Sequence, residues 1–253
     1  MFSLAGKKAL VVGIANEHSI AYGCAKAFRE QGAEIAVTYL NDKAKTSVRP
    51  LAEKLGATMI LPLDVAKDGQ FDDLFDSIRQ HWGRIDICLH SIAFCPSEDL
   101  HSRVTDYSRA GFASAMDISV HSFIRMVRRA APLMSEGGSC MTVSYGAENA
   151  AGHFNIMGPV KAALESAAKH MAAELGPKGI TVHALSPGPL KTRAASGIGE
   201  FGELLDRAAE RAPTRHLATI EQVGAYAAFL ASSEAANVTG GVHYIDGSYH
   251  IVG

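Results

Sequence analysis

The chain has 253 residues, 47% of them hydrophobic, and is therefore long enough to bury a large core. Its formal net charge of −2 and the lack of any run of five like charges exclude the charge patterns typical of proteins that bind nucleic acid or an anionic membrane. No apolar stretch is long enough to span a membrane, and four widely spaced cysteines with no Cys-x-x-Cys predict reduced thiols, no metal site and a cytoplasmic location.

Seven short apolar runs predict buried strands, and longer segments with helical spacing separate them. In chain order the runs cover residues 9–12, 35–39, 59–63, 85–89, 140–144, 181–185 and 242–245. After the third run, Phe71, Leu74, Phe75 and Ile78 fall on one face of a helix. The alternation predicts an α/β fold: a Rossmann-like, doubly wound parallel sheet of about seven strands with helices on both faces. We expect a single domain over residues 1–253.

The turn after the first predicted strand reads GIANEHSIAYG, from Gly13 to Gly23. Ligands of doubly wound sheets bind beyond the carboxyl ends of the strands, so this turn is where a phosphate group is expected. Gly13 allows the backbone to approach a phosphate closely. Ser19 is expected to cap the following helix, with the free N–H groups of Ser19 and Ile20 facing the anion. An ordinary turn with a helix cap explains the same spacing equally well.

Further motifs follow the turn in a characteristic order. Besides Gly13 with Ser19-Ile20-Ala21, they are ThrTyrLeuAsnAsp (38–42), AspVal (64–65), HisSerIleAlaPheCysPro (90–96), AspIleSer (117–119), AsnIleMetGly (155–158) with Lys161, and SerProGlyProLeuLysThrArgAlaAlaSerGlyIle (186–198). In these motifs the chain resembles, over essentially its whole length, the NADH-dependent enoyl-acyl-carrier-protein reductases of bacterial fatty acid synthesis. These enzymes are divergent members of the short-chain dehydrogenase superfamily. HisSerIleAla, in place of the superfamily's usual AsnAsnAlaGly, is the most discriminating motif.

The resemblance implies a dinucleotide site. Gly13, Ser19 and Ile20 would hold the pyrophosphate, whereas Asp64 and Val65 would face the adenine ring. Asp64 could instead only cap the turn that follows it. The full set of implied cofactor-binding residues is Gly13, Ser19, Ile20, Leu40, Asp64, Val65, Ser91, Ile92, Lys161, Leu190, Thr192 and Ala194.

The residues after the second predicted strand indicate which dinucleotide is used. An enzyme that selects NADPH usually places Arg or Lys there to neutralise the 2′-phosphate. This chain has Tyr39, Leu40, Asn41 and Asp42, with no basic residue before Lys43. We therefore expect NADH to be preferred. Leu40 replaces the polar residue of many relatives, which suggests a looser adenosine contact.

The expected catalytic residues are Tyr145 and Lys161. The family has a second tyrosine seven residues before the lysine, and this chain has Phe154 there, which cannot donate a hydrogen bond. The sequence therefore predicts Tyr145 as the remaining donor to the substrate. Pro159 is compatible with a helix that begins near residue 155, because proline is tolerated in the first turn.

On the substrate side, the resemblance implies contacts from Cys95, Tyr145, Phe154, Met157 and Ala195, and a loop and helix around 190–212 that cover an acyl thioester. The thioester would be carried by acyl carrier protein or by coenzyme A, with the carrier protein favoured, and relatives are usually homotetramers. Two alternatives stay open: a catalytically silent paralogue that binds NADH or an acyl carrier, and a carbonyl-reducing dehydrogenase. The latter needs a tyrosine four residues before the lysine, where this chain has Met157.

Overall fold

The computed structural model describes residues 2–145, 155–190, 192 and 201–252. Its strands are β1 (Lys8–Val12), β2 (Glu34–Tyr39), β3 (Met59–Pro62), β4 (Ile87–His90), β5 (Gly138–Val143), β6 (Ile180–Pro187) and β7 (Val242–Ile245). All pair in parallel, in the order β3-β2-β1-β4-β5-β6-β7. The fold class predicted from the sequence is confirmed, and each predicted run overlaps a strand. No strand end differs by more than two residues from the run that predicts it; the two-residue shifts are at the starts of β4 and β5 and at the end of β6.

Helices connect the strands. They are α1 (Ile20–Glu30), α2 (Asp42–Lys54), α3 (Asp68–Trp82), α4 (Ser97–Leu100), α5 (Arg109–Met116), α6 (Ser122–Ala130), α7 (Met157–Leu175), α8 (Phe201–Arg211) and α9 (Ile220–Leu230), with a π-helical segment, Asp117–His121, between α5 and α6. No helix among the described residues is both long and apolar enough to cross a membrane.

The two faces of the sheet bury separate apolar clusters. Successive side chains of a strand point to opposite faces. In β1, Leu10 and Val12 pack with α3, α6 and α7, whereas Ala9 and Val11 pack with α1, α2 and α9. Helices therefore cover both faces, and the polar groups of a site have room only at the ends of the strands.

The strand order reverses between β1 and β4, and the residues that follow these two strands come into close contact. Gly13 has φ +113°, and a Cβ atom added to it would lie 2.1 Å from the carbonyl oxygen of Ser91. Glycine is required here because it alone combines this φ with such a close approach. The crevice at this switch point is where a doubly wound sheet binds its ligand.

Two glycines bring α1 and α9 together. A Cβ atom on Gly224 would lie 2.4 Å from the carbonyl oxygen of Gly23. The start of α9 is fixed by a capping box, in which Thr219 accepts the N–H of Gln222 and the Gln222 side chain accepts the N–H of Thr219. The packing holds the N-terminal part of α1 firmly beside the switch point.

Candidate active site

Ser19 organises the loop before α1. Its hydroxyl accepts the N–H groups of Ala15 and Asn16, both at 3.0 Å, and makes no capping bond to the helix. Its own N–H donates to the Asn16 carbonyl at 3.2 Å. Ser19 occupies the N-cap position of α1, as expected. The expected side-chain capping bond and the free N–H are wrong, because the loop uses both groups. The helix begins at Ile20, so its first free N–H groups, and not that of Ser19, remain for an anion.

The expected adenine end lies at the carboxyl ends of β2 and β3. Asp64 accepts the N–H of Ala66 at 3.1 Å and lies 3.4 Å from the ammonium group of Lys67, so the local capping role considered for it is real. Val65 is buried, and its carbonyl accepts a hydrogen bond from Arg125 at 2.6 Å. Sequence patterns gave no indication of Arg125, because it lies 60 residues away on α6.

The region where the adenosine 2′-hydroxyl is expected is exposed to solvent at Leu40. Leu40 is 54% exposed, and Asn41 caps α2 by accepting the N–H of Ala44 at 2.9 Å. A basic group does lie nearby: the ammonium group of Lys45 is 5.3 Å from the centre of the Tyr39 ring. The sequence hypothesis considered only the residues up to Lys43 and so missed it.

His90, at the end of β4, forms a buried polar network below the crevice. One ring nitrogen lies 3.0 Å from the hydroxyl of Thr142 and the other lies 2.8 Å from the hydroxyl of Ser122. Burial, together with the positive charge of Lys161, lowers the pKa of His90 to about 3. The imidazole is therefore neutral at neutral pH and supports the adjacent half-buried Ser91 and Ile92 without carrying charge.

Lys161 lies on α7, beside the end of β5. It is only 5% exposed, and its ammonium group donates to the carbonyl of Val143 at 2.6 Å. Burial lowers its pKa from 10.5 to about 8, against the opposing effect of the negative charge of Glu165. The helix that carries it begins at Met157, so Pro159 falls in the first turn as expected, and the Val160 N–H still reaches Ile156.

Glu165 and Ser144 complete this buried cluster, and sequence reasoning missed both. Glu165 is 6% exposed, and its carboxylate accepts a hydrogen bond from the hydroxyl of Ser144, which directly follows β5. Glu165 lies four residues after Lys161, so the two side chains share a face of α7. That spacing, between a lysine and a glutamate inside an apolar helix, is the signal that could have found it.

Tyr145 follows Ser144 and is partly buried. Burial, then the charge of Glu165, and then the nearby phenol of Tyr107 raise the pKa of Tyr145 well above 10. The phenol therefore keeps its proton at any physiological pH and can act as a hydrogen-bond donor. Tyr145, Cys95 and Ile92 pack against one apolar cluster, to which the buried Met157 belongs.

Three predicted site residues, Phe154, Ala194 and Ala195, lie outside the described residues. Leu190 and Thr192 are described beyond β6, with the Thr192 N–H donating to the Leu190 carbonyl at 2.7 Å. A cleft of about 580 Å³ opens between α1, α8 and the start of α9, and its wall includes Leu190 and Leu205. Neither Tyr145 and Lys161 nor the expected pyrophosphate residues Gly13, Ser19 and Ile20 line the cleft.

Comparisons with a family model, with relatives of known function and with solved structures all indicate the same enzyme family. The family model described as enoyl-(acyl carrier protein) reductase matches residues 13–250. The NADH-dependent enoyl-acyl-carrier-protein reductase 1 of Rhizobium meliloti is 46% identical, over 98% of this chain and 92% of the relative, and that of a Nostoc species is 44% identical over the whole of both chains. The crystal structure of the reductase from Anaplasma phagocytophilum in complex with NAD matches with a TM-score of 0.95 and 41% identity, over 100% of this chain and 97% of the other.

Proposed function

The chain belongs to the enoyl-acyl-carrier-protein reductase family, and we propose that Tyr145 and Lys161 carry its reaction, the reduction of a 2-enoyl thioester by NADH. One observation carries the assignment of these residues. The half-buried Tyr145 and the buried Lys161 lie at the carboxyl end of β5, next to the buried hydrogen bond between Ser144 and Glu165. This is the end of the sheet at which ligands bind.

The residues at the switch point fit a dinucleotide. A side chain at position 13 would clash with the carbonyl of Ser91, so glycine allows the segments after β1 and β4 to approach each other at the switch point. We propose that the pyrophosphate binds beside this contact and faces the first N–H groups of α1, at Ile20. We propose that Asp64 and Val65 contact the adenine and that Lys161 binds a ribose. When bound, NADH supplies the hydride that the β-carbon of the substrate receives.

Reduction of the enoyl group develops negative charge on the thioester oxygen. A donor that is fixed before the reaction stabilises this charge. The O–H of Tyr145 is such a donor, because the raised pKa keeps it protonated. Lys161, protonated below about pH 8, adds a positive charge and holds the cofactor ribose. The site therefore orients the thioester and stabilises its charge, while the cofactor supplies the electrons.

The test is a pair of assays on the purified protein. NADH oxidation is measured with a crotonyl thioester and with a β-ketoacyl thioester, for the parent and for Tyr145→Phe. We expect activity on the crotonyl thioester alone, and a loss of about a hundredfold in the variant. Tyr226→Phe, a phenol on α9 away from the site, is the matched control. An unchanged rate in Tyr145→Phe removes Tyr145 from the mechanism, and activity on neither thioester favours the silent paralogue.

A carbonyl-reducing enzyme is the weaker candidate. The first residue of α7, Met157, stands four residues before Lys161, where that chemistry needs a phenol. Activity on the β-ketoacyl thioester alone would reverse this ranking.

We also propose the finer features of the assembly. The substrate carrier is acyl carrier protein, and the segment around 190–212, which includes α8, covers the acyl chain within a single domain over residues 1–253. The protein is a cytoplasmic homotetramer. The four cysteines are free thiols, as expected in a reducing compartment, and the C-terminal Ile251 is 68% exposed, which suits a subunit contact. Light scattering on the parent and on Ile251→Asp tests the oligomer, with dissociation expected in the variant.

A further inference from the structure

A second phenol, that of Tyr107, contacts the start of α7, although Tyr107 itself lies between α4 and α5 in the chain. Its oxygen accepts a hydrogen bond from the N–H of Ile156, the residue immediately before that helix. The two residues are 49 positions apart, so no local pattern links them. Position 154, where Phe154 cannot donate a hydrogen bond, is two residues before Ile156 in the chain.

The segment that carries Tyr107 is anchored at both ends. Asp99 is 7% exposed, and its carboxylate accepts the N–H and the hydroxyl of Ser108 at 2.8 and 2.9 Å. The side-chain amide of Asn155 donates to the carbonyl of Leu100 at 3.0 Å. These bonds tie the segment between α4 and α5 to the start of α7, so the ring of Tyr107 is held in one place.

Tyr107 is a neighbour of the expected substrate residues. Tyr107, Tyr145 and Cys95 pack against one apolar cluster, to which Ile156 and Met157 belong. The electrostatics agree with this placement: the phenol of Tyr107 raises the pKa of Tyr145, and Cys95 is among the groups that raise the pKa of Tyr107. The two phenols therefore belong to one site.

The bond from Ile156 prepares Tyr107 to act as a donor. A phenol oxygen that accepts an N–H still has its own O–H to donate. Burial, the largest effect, raises the pKa of Tyr107, so the proton stays on the phenol, while the Ile156 N–H favours negative charge on the oxygen. The oxygen also lies at the N-terminus of a 19-residue helix, whose dipole stabilises the partial negative charge that develops as the O–H donates.

We propose that Tyr107 is a catalytic residue that donates a hydrogen bond to the thioester oxygen, together with Tyr145, in the role that Phe154 cannot fill. This rests on the proposed function. The β-carbon gains a hydride, with its two electrons, from NADH, which becomes NAD⁺. The π electrons of the C=C bond move to give an enolate, whose oxygen accepts hydrogen bonds from Tyr107 and Tyr145. A proton from water then reaches the α-carbon to give the saturated thioester, and both phenols keep their protons.

The experiment compares the parent, Tyr107→Phe, Phe154→Tyr and the double variant. For each, kcat and KM are measured with a crotonyl thioester, and the Kd for NADH is measured by fluorescence. We expect Tyr107→Phe to lose about a hundredfold in kcat, with the Kd for NADH unchanged. Phe154→Tyr is expected to restore kcat in the Tyr107→Phe background and to add little in the parent. Tyr226→Phe serves again as the matched control.

The outcomes separate the two proposals. If the parent does not reduce the enoyl thioester, the proposed function fails and the role of Tyr107 fails with it. If the parent is active and Tyr107→Phe keeps its kcat, only the role of Tyr107 is overturned. A loss of NADH binding together with kcat, or a loss of kcat that Phe154→Tyr does not restore, shows a structural role and also overturns it. If Tyr107→Phe does not fold, Phe154→Tyr alone decides: a gain of about a hundredfold means that the parent lacks the donor, and a small gain supports Tyr107.

Discussion

Neutralising Glu165 is predicted to move the alkaline limit of catalysis to lower pH. Lys161, which we propose holds the cofactor ribose with its ammonium group, is protonated below its pKa of about 8. Its folded pKa lies below the ordinary value of 10.5 because burial disfavours the charge, and Glu165 opposes that effect. Activity that needs the ammonium group is therefore present below about pH 8 and lost as the pH rises through that value. Replacing Glu165 by Gln removes the opposing charge and lowers the limit further.

The size of this change follows from the spacing on α7. The Cβ atoms of residues at i and i+4 of a helix lie about 6 Å apart, which serves here as the separation of the two charges. Opposite charges at that distance attract by roughly 3 kcal/mol at an effective dielectric constant of about 20. At about 1.4 kcal/mol per pH unit, the pKa of Lys161 in Glu165→Gln falls by about two pH units. At pH 8 the variant should therefore be almost inactive while the parent keeps about half of its maximum.

The assay is the pH profile of kcat/KM for NADH, measured for the parent, Glu165→Gln and Glu174→Gln. Glu174 is exposed on the same helix and is the matched control. The reasoning is refuted if the alkaline limit of Glu165→Gln coincides with that of the parent. It is refuted equally if Glu174→Gln moves the limit as far as Glu165→Gln does.

Three further perturbations test the fold around the site. Gly13→Ala should weaken NADH binding at least tenfold by titration, since the added Cβ meets the Ser91 carbonyl 2.1 Å away; unchanged affinity would count against the crevice as the cofactor site. Burial first, and then a neighbouring histidine, lowers the pKa of His183 to about 3. The stability that His183 contributes above pH 6.5 should therefore be lost below that pH by about 1.4 kcal/mol per pH unit, in addition to a similar loss from the buried His90. Urea unfolding checks this, and His183→Gln should flatten the slope. Gly224→Ala should destabilise the protein by about 1–3 kcal/mol in the same assay, because the added Cβ would lie 2.4 Å from the Gly23 carbonyl. Equal stability would mean that α1 and α9 can move apart at this contact without loss of packing energy.

Much of the fold was predictable because it follows from local patterns of apolar and polar residues in the sequence. Strands alternate with helical periods along the chain, and buried parallel strands are continuous apolar runs, so seven runs predicted seven strands and their parallel arrangement. Gly13 and Lys161 were predicted as site residues in the same way, since each stands at a fixed place in a motif next to a strand or within a helix, and their roles stay predictions. The prediction failed where other groups bind the side chain that a local rule assigns to a helix cap. Ser19 suits a helix cap, but the N–H groups of Ala15 and Asn16 bind its hydroxyl instead.

The amino-acid sequence alone was enough to predict the sheet, the crevice at its switch point and the family. The pairing of distant groups around the candidate site follows only from the three-dimensional arrangement: Ser144 binds Glu165, Arg125 binds the carbonyl of Val65, and Tyr107 binds the start of α7. These contacts join residues 21, 60 and 49 positions apart. Periodicity describes neighbours within one helix or strand, whereas such pairs meet only after the strand order and the crossovers have brought separate elements to the same end of the sheet.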